Sequence, residues 1–411
     1  MQQTWIVEEK MTESSFSAVP VSPNVWWVGA RDWNVRNFHG YETNRGSSYN
    51  AFLVIDDKVT VIDAVKAPFM PEMLARISSV VDLQRVDYII SNHAEPDHSG
   101  GLPELIASTS PEKVFASGTG AKTLAAYYGL EGITPVKTGD SVSLGKGTVS
   151  FVDTKMLHWP DSMVSFYTRD NILFSQDAFG MHLAASPMWA DECAPAILDY
   201  EARKYIANIL NLQADRLISL LDAIPGLGLD IRIIAPDHGP LWRKDLDRII
   251  GIYRSAAEQK PCKRALVAYS TMWHATEKLA RALAEGLILS GIEVKICDLE
   301  VNDRSAVMTE VARSGLIAFG APTMNNQMFP KMADALCYVK GLRPKNKIGF
   351  AFGSYGWSGE GGKQIAAELE AMGAEQPEPV FQVKYMPSQD DLLKLKDIGR
   401  KLGAALAARC E

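Results

Sequence analysis

Val86-Asp87-Tyr88-Ile89-Ile90-Ser91-Asn92-His93-Ala94-Glu95-Pro96-Asp97-His98-Ser99-Gly100-Gly101 is the stretch on which the reading of the chain turns. It opens as a short apolar, β-branched run, the pattern of a buried strand. Four metal-competent side chains then fall within six residues: His93, Glu95, Asp97 and His98. Pro96 has no backbone N–H and the glycines favour turns, so the spacing predicts a loop here and argues against a helix. In an extended loop successive side chains alternate, so His93, Glu95 and Asp97 share one side and His98 points elsewhere. Imidazole and carboxylate both ligate divalent metals. Four such groups directly after an apolar strand suit two adjacent metals better than one.

Three further segments repeat the form, a metal-type residue at the end of an apolar strand. Met156-Leu157-His158-Trp159-Pro160-Asp161-Ser162-Met163 gives His158. Ile172-Leu173-Phe174-Ser175-Gln176-Asp177 gives Asp177, and Ile231-Arg232-Ile233-Ile234-Ala235-Pro236-Asp237-His238 gives His238. Each is weak alone, because a single histidine beside Trp159 is more often a packed side chain than a ligand. Together and in this order they are a strong signal.

Around this core the first ~260 residues mix short strands and helices without strict alternation, as in an α+β layered domain. Strands are expected at Val25–Gly29, Tyr49–Ile55, Thr60–Ala64, Val86–Ser91, Thr148–Thr154 and Met163–Thr168. Helices are expected at Gly120–Tyr128, Tyr200–Ala223 and Leu246–Ala257. The polar, proline-containing segment Glu258–Lys263 places the boundary, giving domains 1–260 and 261–411. From Ala265 the grammar becomes regular. Strands at Ala265–Tyr269, Glu293–Asp298, Leu316–Gly320, Ile348–Gly353 and Val380–Val383 alternate with helices. That is the signature of a doubly wound parallel sheet of flavodoxin-like size.

Three loops at the carboxyl ends of those strands carry chemistry. The first is Ser270-Thr271-Met272-Trp273-His274-Ala275-Thr276, rich in hydroxyls and directly before a helix, where free N–H groups cradle phosphate. The second is Pro322-Thr323-Met324-Asn325-Asn326. The third is Ser354-Tyr355-Gly356-Trp357-Ser358-Gly359, whose aromatics can stack on a flat ring. A triphosphate P-loop and a Rossmann glycine fingerprint are both absent. Capping alone accounts for many hydroxyls at a helix start; three such loops on one sheet edge point to a bound nucleotide.

Composition narrows the remaining classes. Of 411 residues, 47% are apolar and 22% charged, enough apolar side chain to build cores. The net charge of −7 makes nucleic acid an unlikely partner. No apolar run approaches a membrane span, and neither a signal peptide nor a lipidation box is expected at Met1–Trp5 or Ala408–Glu411. Five scattered cysteines without a Cys-x-x-Cys fit a reduced cytoplasm and exclude an all-cysteine iron–sulfur or rubredoxin-type site.

The pattern His93-x-Glu95-x-Asp97-His98, then His158, Asp177 and His238, with Asp32-Trp33 and Arg36–Tyr41 upstream, resembles the flavodiiron proteins. These pair a metallo-β-lactamase-like αβ/βα sandwich with a flavodoxin-like domain. Hydrolases of the sandwich fold place a second histidine where Glu95 stands; a carboxylate makes the site harder and favours iron or manganese over zinc. The resemblance implies two iron ions per chain: His93, Glu95 and His158 on one, Asp97, His98 and His238 on the other, Asp177 bridging. The His98 position does not coordinate in every member. His39 and Tyr41 have two open readings, as hydrogen-bond or proton donors near the irons or as parts of a simply packed loop. FMN is implied in the three loops, the first holding its phosphate. The implied activity is reduction of O2 to water or of NO to N2O. An external donor, rubredoxin or reduced coenzyme F420, supplies electrons, because no rubredoxin or flavin-reductase module is expected after the flavodoxin-like part. A head-to-tail homodimer, or a dimer of such dimers, is implied by the family alone. Two other classes compete: a metallo-β-lactamase-fold hydrolase with a fused flavin domain, which Glu95 disfavours, and an electron carrier with a vestigial metal site, which the complete ligand set disfavours.

Overall fold

The computed structural model describes residues 16–410; the expectations resting on residues 1–5 and on Glu411 lie outside them. The chain forms two compact units. One comprises the residues up to Arg36 with Thr43–Ala202 and Leu220–Ile250, and the other Asn37–Glu42, Arg203–Ser219 and the chain from Gly251 onward.

The first unit is a pair of sheets. The seven-stranded sheet runs Val19–Ser22, Val25–Trp27, Phe52–Val54, Val59–Ile62, Val86–Ser91, Lys113–Ser117 and Thr134–Val136. Its first half is antiparallel, and pairing turns parallel from Val59–Ile62 onward. The five-stranded sheet runs Ser141–Ser143, Thr148–Asp153, Met163–Tyr167, Ile172–Gln176 and Ile233–Pro236, with only the last pair parallel. A shared core joins them: Trp27, Phe52, Ile62, Ile90 and Phe115 from one sheet, Val149, Phe151, Met163, Tyr167 and Phe174 from the other. A second core packs the far face of the larger sheet, through Leu53, Val61 and Ile89, against Met70, Met73, Ile77, Leu102, Leu105 and Leu124 on helices. These are the layers of the expected sandwich.

Local departures from the sequence reading have physical causes. The loop after Ser91 contains one helical turn, Pro96–Ser99. Proline is tolerated at the first helical position, where its missing N–H is not needed. The expected strand Tyr49–Ile55 is two strands, Ser47–Tyr49 and Phe52–Val54, which pair with different partners. Asn50 stands between them and is drawn away: its N–H donates to the Asp237 carbonyl at 2.7 Å, and its Nδ2 to the Pro236 and Gly239 carbonyls at 2.7 and 2.9 Å. The expected helix Tyr200–Ala223 is interrupted between Pro195–Tyr205 and Ala214–Ala223 by a π turn at Ile206–Leu210. Helices Met70–Ser78 and Leu102–Thr109, which are not among the expected helices, each carry a proline in the first turn.

In the second unit all five principal strands are parallel, in the spatial order Glu293–Asp298, Arg264–Tyr269, Leu316–Met324, Ile348–Tyr355 and Phe381–Lys384. Numbered along the chain this is 2-1-3-4-5, the flavodoxin-like order. Separate cores fill the two faces. Helices Ala275–Leu289 and Gln389–Arg409 approach so closely that a Cβ on Gly286 would strike the Lys396 carbonyl, so only glycine fits there. Among the described residues no helix is long and apolar enough to cross a membrane, and all five cysteines are free.

Lys347 supplies a stability test. Its buried ammonium donates to the Ser314 and Ala312 carbonyls at 2.6 and 3.3 Å, and burial lowers its pKa from 10.5 to about 8. Between these values the unfolded chain binds more protons than the folded one, so stability rises with pH across that window. The gain is up to about 3 kcal/mol for a shift of this size. Urea unfolding from pH 7 to 10.5 checks this: the rise is expected in the parent and flattened in Lys347→Met.

Candidate metal centre and nucleotide cradle

Every donor of the candidate metal centre stands just beyond a strand end of the first unit. His93 and Glu95 follow Val86–Ser91, Asp177 follows Ile172–Gln176, and His238 follows Ile233–Pro236. His158 lies in the loop between Thr148–Asp153 and Met163–Tyr167. The strands are fixed by the shared core, so their ends are rigid platforms for polar groups. The one-turn helix Pro96–Ser99 brings Asp97 and His98 inward together, and His98 therefore faces the centre; an extended chain would have turned it away.

Two donor groups result: His93, Glu95, His158 and Asp177 in one, Asp97, His98 and His238 in the other. In the first, Glu95 Oε2 lies 3.3 Å from His93 Nε2 and 3.0 Å from His158 Nε2. Asp177 Oδ2 lies 3.2 Å from each of the same two nitrogens. In the second, Asp97 Oδ2 lies 3.3 Å from both His98 Nε2 and His238 Nε2. Asp177 turns its other oxygen there, 3.3 Å from His98 Nε2 and 3.4 Å from His238 Nε2. One carboxylate thus presents one oxygen to each group.

These spacings suit cations. Metal–ligand bonds of about 2.0–2.2 Å place neighbouring donors about 3 Å apart. Both carboxylate oxygens of Asp97 and of Asp177, and both ring nitrogens of His98, are buried without a well-formed hydrogen bond. Buried polar atoms left in that condition are costly, and a cation in each group removes the cost. Opposite charges within the cluster also attract. Burial opposes ionisation of Asp177, yet the imidazoles of His158, His93 and His98 hold its pKa well below the ordinary range. Glu95 and Asp97 are each lowered to about 2, against burial, by His158 and His93 in one case and His98 and His238 in the other. Burial also opposes protonation of His158, but Asp177 and Glu95 raise it to about 9. Imidazole ligates only when neutral, so an entering metal takes the place of these protons.

A further layer orients the donors. Asp161 Oδ2 accepts from the Ala94 N–H at 2.6 Å and lies 3.1 Å from His93 Nδ1, leaving His93 Nε2 turned to the centre. His238 Nδ1 donates to the Ser48 carbonyl at 2.6 Å, which does the same for its Nε2. Asp237 Oδ2 stands 3.5 Å from His98 Nδ1. Asp63 accepts from the backbone and side chain of Asn92 at 2.6 and 2.7 Å, fixing the start of the loop. His182 lies with its ring 4.5 Å from that of His238, and Ser47 Oγ sits 2.9 Å from His182 Nδ1. None of these was singled out from sequence. Asp161 and Asp237 adjoin two of the strand-end histidines, and that spacing is the usable signal; His182 and Asp63 carry none. His39 and Tyr41 belong to neither donor group. They lie on the hairpin Asn37–Glu42, with the His39 ring 4.4 Å from Phe38 and Lys204 Nζ 5.0 Å over the buried Tyr41 ring.

The second unit holds a cavity of about 430 Å³ at the carboxyl edge of its sheet. The first predicted loop lines it with Thr271, Met272, Trp273 and Ala275, the second with Pro322, Thr323, Asn325 and Asn326, the third with Ser354 to Ser358. Of the other predicted residues, Ser270 and Thr276 are buried nearby, Thr276 Oγ1 being 3.0 Å from Ser354 Oγ. His274 turns aside to Glu277 at 2.8 Å, and Met324 and Gly359 are not in the lining. Tyr385 and Met386, after the fifth strand, also line the cavity and were missed because that strand is short and its loop lacks glycine and hydroxyl signals. The hydroxyls of Ser270 and Thr271 are buried without a partner beside the start of helix Ala275–Leu289. Such a cradle fits a phosphate. Trp273 and Trp357, 77% and 84% exposed, flank the mouth with flat surfaces for a ring system.

Two substitutions separate the sites. Asp177→Ala is expected to lose both metals and keep the flavin, because one carboxylate serves both groups; full metal content by elemental analysis would contradict this. Trp357→Ala is expected to weaken flavin binding by about tenfold, the loss of one stacked ring face, at unchanged metal content. Flavin release followed by fluorescence checks it.

Known protein families match both halves of the chain. Residues 48–239 match the family described as ODP family beta lactamase, and residues 267–398 match flavodoxin. The chain is 42% identical to rubredoxin-oxygen oxidoreductase of Megalodesulfovibrio gigas, over 93% of this chain and 96% of that protein. It is 41% identical to nitric oxide reductase of Moorella thermoacetica, over 95% and 99%. Among solved structures, the flavodiiron protein from Giardia intestinalis superposes with a TM-score of 0.91 at 34% identity, covering 96% of this chain and 98% of that one. With relatives this similar along almost their whole length, the chain belongs to the flavodiiron protein family, whose members carry a di-iron site and FMN.

Proposed function

We propose that this protein is an oxidoreductase that reduces O2 to water, NO to N2O, or both, at a non-haem di-iron centre fed with electrons through FMN. The observation that carries the reading is Asp177, whose two oxygens face two complete donor groups. All donors are nitrogen or oxygen, and Glu95 replaces an imidazole that zinc hydrolases of this fold use, which favours iron. The names of the relatives, rubredoxin-oxygen oxidoreductase and nitric oxide reductase, support the substrate class.

When bound, the iron pair supplies open positions for a diatomic gas, and the flavin supplies electrons one or two at a time. The chain's own residues do the rest. His93, Glu95 and His158 would hold one metal and Asp97, His98 and His238 the other, with Asp177 offering one oxygen to each group. Asp161 and the Ser48 carbonyl keep His93 and His238 in the ligating orientation. Ser270, Thr271 and the following helix start would hold the flavin phosphate, and the second and third loops would line the space for its ring. Reduction of two NO to N2O and water consumes two electrons and two protons. Reduction of O2 to two waters consumes four of each, which draws on flavin and metals together.

The donor is an external protein of the rubredoxin type, with reduced coenzyme F420 as the second donor class. The working assembly is a head-to-tail homodimer in the cytoplasm, so that the flavin of one copy serves the metals of its partner. Fully reduced, iron-loaded protein mixed separately with anaerobic NO and with O2 tests the reading. Repeated turnover on at least one gas, far above the reoxidation rate of free flavin, is expected. Reoxidation of both samples at the free-flavin rate would contradict it.

A further inference from the structure

Three of the four histidines of the candidate centre have a group facing the ring nitrogen that is turned away from it. Asp161 stands 3.1 Å from His93 Nδ1, the Ser48 carbonyl 2.6 Å from His238 Nδ1, and Asp237 3.5 Å from His98 Nδ1. His158 has no such partner among the described residues: its ion pairs, with Glu95 and Asp177, both run through Nε2. Its ring is placed by the backbone that carries it. The N–H groups around it bond within their own loop, Met156 to the Trp159 carbonyl, Leu157 to the Thr154 carbonyl and Trp159 to Ser162 Oγ.

Gln176 supplies a tie from outside that loop. Its Nε2 donates to the Leu157 carbonyl at 2.6 Å. That carbonyl belongs to the peptide unit that ends at the His158 Cα. A peptide unit is planar, so holding its oxygen fixes the direction in which His158 leaves it. The Gln176 amide is fully buried, and its Oε1 has no hydrogen-bond partner. A buried polar atom in that condition is destabilising, and an apolar side chain of the same length would avoid it. The bond to Leu157 is therefore the one polar role of this amide.

The local backbone serves that bond. Ile172 and Phe174 face the core shared by the two sheets, and simple alternation would send residue 176 there as well. The pairing with Ile233–Pro236 slips between Phe174 and Gln176, and Gln176 has a left-handed φ of 46°. A bulge re-aims a side chain, and here the amide meets the His158 loop. The Gln176 carbonyl meanwhile accepts from the Asp237 N–H at 2.9 Å, beside His238.

Resting on the proposed metal pair, we infer that Gln176 is the positioning residue of His158. It ties the segment that carries the shared carboxylate to one ligand of the first metal, and so sets the affinity of that metal alone. The selectivity follows from the two kinds of bond. A substitution removes the side-chain tie to Leu157 and leaves the backbone tie to Asp237 in place.

Flavin-loaded protein reloaded anaerobically with enriched Fe2+ against a competing chelator, and followed by Mössbauer spectroscopy, tests this. Gln176→Met keeps the length and loses the donor. One iron per chain is expected to bind about tenfold more weakly, the usual effect of removing an outer partner of a metal ligand. The other iron and the flavin content are expected to match the parent. Gln176→Asn, whose amide is one methylene too short, is expected to do the same and gives a second variant if the first does not fold. His158→Ala marks which iron depends on this histidine. Parental affinity for both irons in either folded variant, equal weakening of both, or loss of the iron that His158→Ala retains overturns the positioning role. Selective weakening in a protein whose parent binds two irons but turns over neither gas leaves the role standing and overturns the reductase reading instead.

Discussion

The site depends on one constraint: Asp177 is fully buried and must be satisfied on two sides at once. A lone buried carboxylate would take up a proton to escape its desolvation cost. Asp177 is held ionised because four imidazole nitrogens, two per oxygen, lie 3.2 to 3.4 Å away. The same distances that stabilise it by charge are those of ligands around two cations. The separation of the two donor groups is therefore set by the width of one carboxylate, and no loop can change it without moving Asp177.

That arrangement follows from the sandwich. Paired sheets with a shared core fix the strand ends: four donors follow Val86–Ser91, and His158, Asp177 and His238 come one each from three further segments. Polar groups there avoid the core, where they would be unsatisfied, and avoid bulk solvent, where they would be screened. The orienting contacts from Asp161 and Asp237 come from the same loops and strand ends, and that from the Ser48 carbonyl from the separate strand Ser47–Tyr49. In the other unit the rule repeats at lower charge: a parallel sheet gathers its loops on one edge, and hydroxyls and a helix start replace carboxylates because the guest is an anion.

Much of this was legible in the sequence. The parallel unit read almost strand by strand, because buried β runs alternating with amphipathic helices have few alternative packings. The seven candidate donors stand in segments that follow apolar runs, and the fold gathers them into two groups. The turn at Pro96–Ser99 was misread: proline was taken as a helix breaker, although at a first helical position it starts one, and the predicted direction of His98 failed with it. The split of Tyr49–Ile55 was not visible, because its cause is Asn50 bonding to residues nearly 190 positions away. His182, Asp63, Tyr385 and Met386 gained their places through tertiary packing, which leaves no local spacing to read.

The central claim is that one carboxylate couples two metals in this chain. Electron paramagnetic resonance and Mössbauer spectra of the iron-loaded protein, taken through stepwise reduction, address it most directly. The account predicts the signature of two magnetically coupled irons per chain, lost as a unit when Asp177 is replaced. Spectra of two independent irons, or a single occupied site in the parent protein, would contradict it.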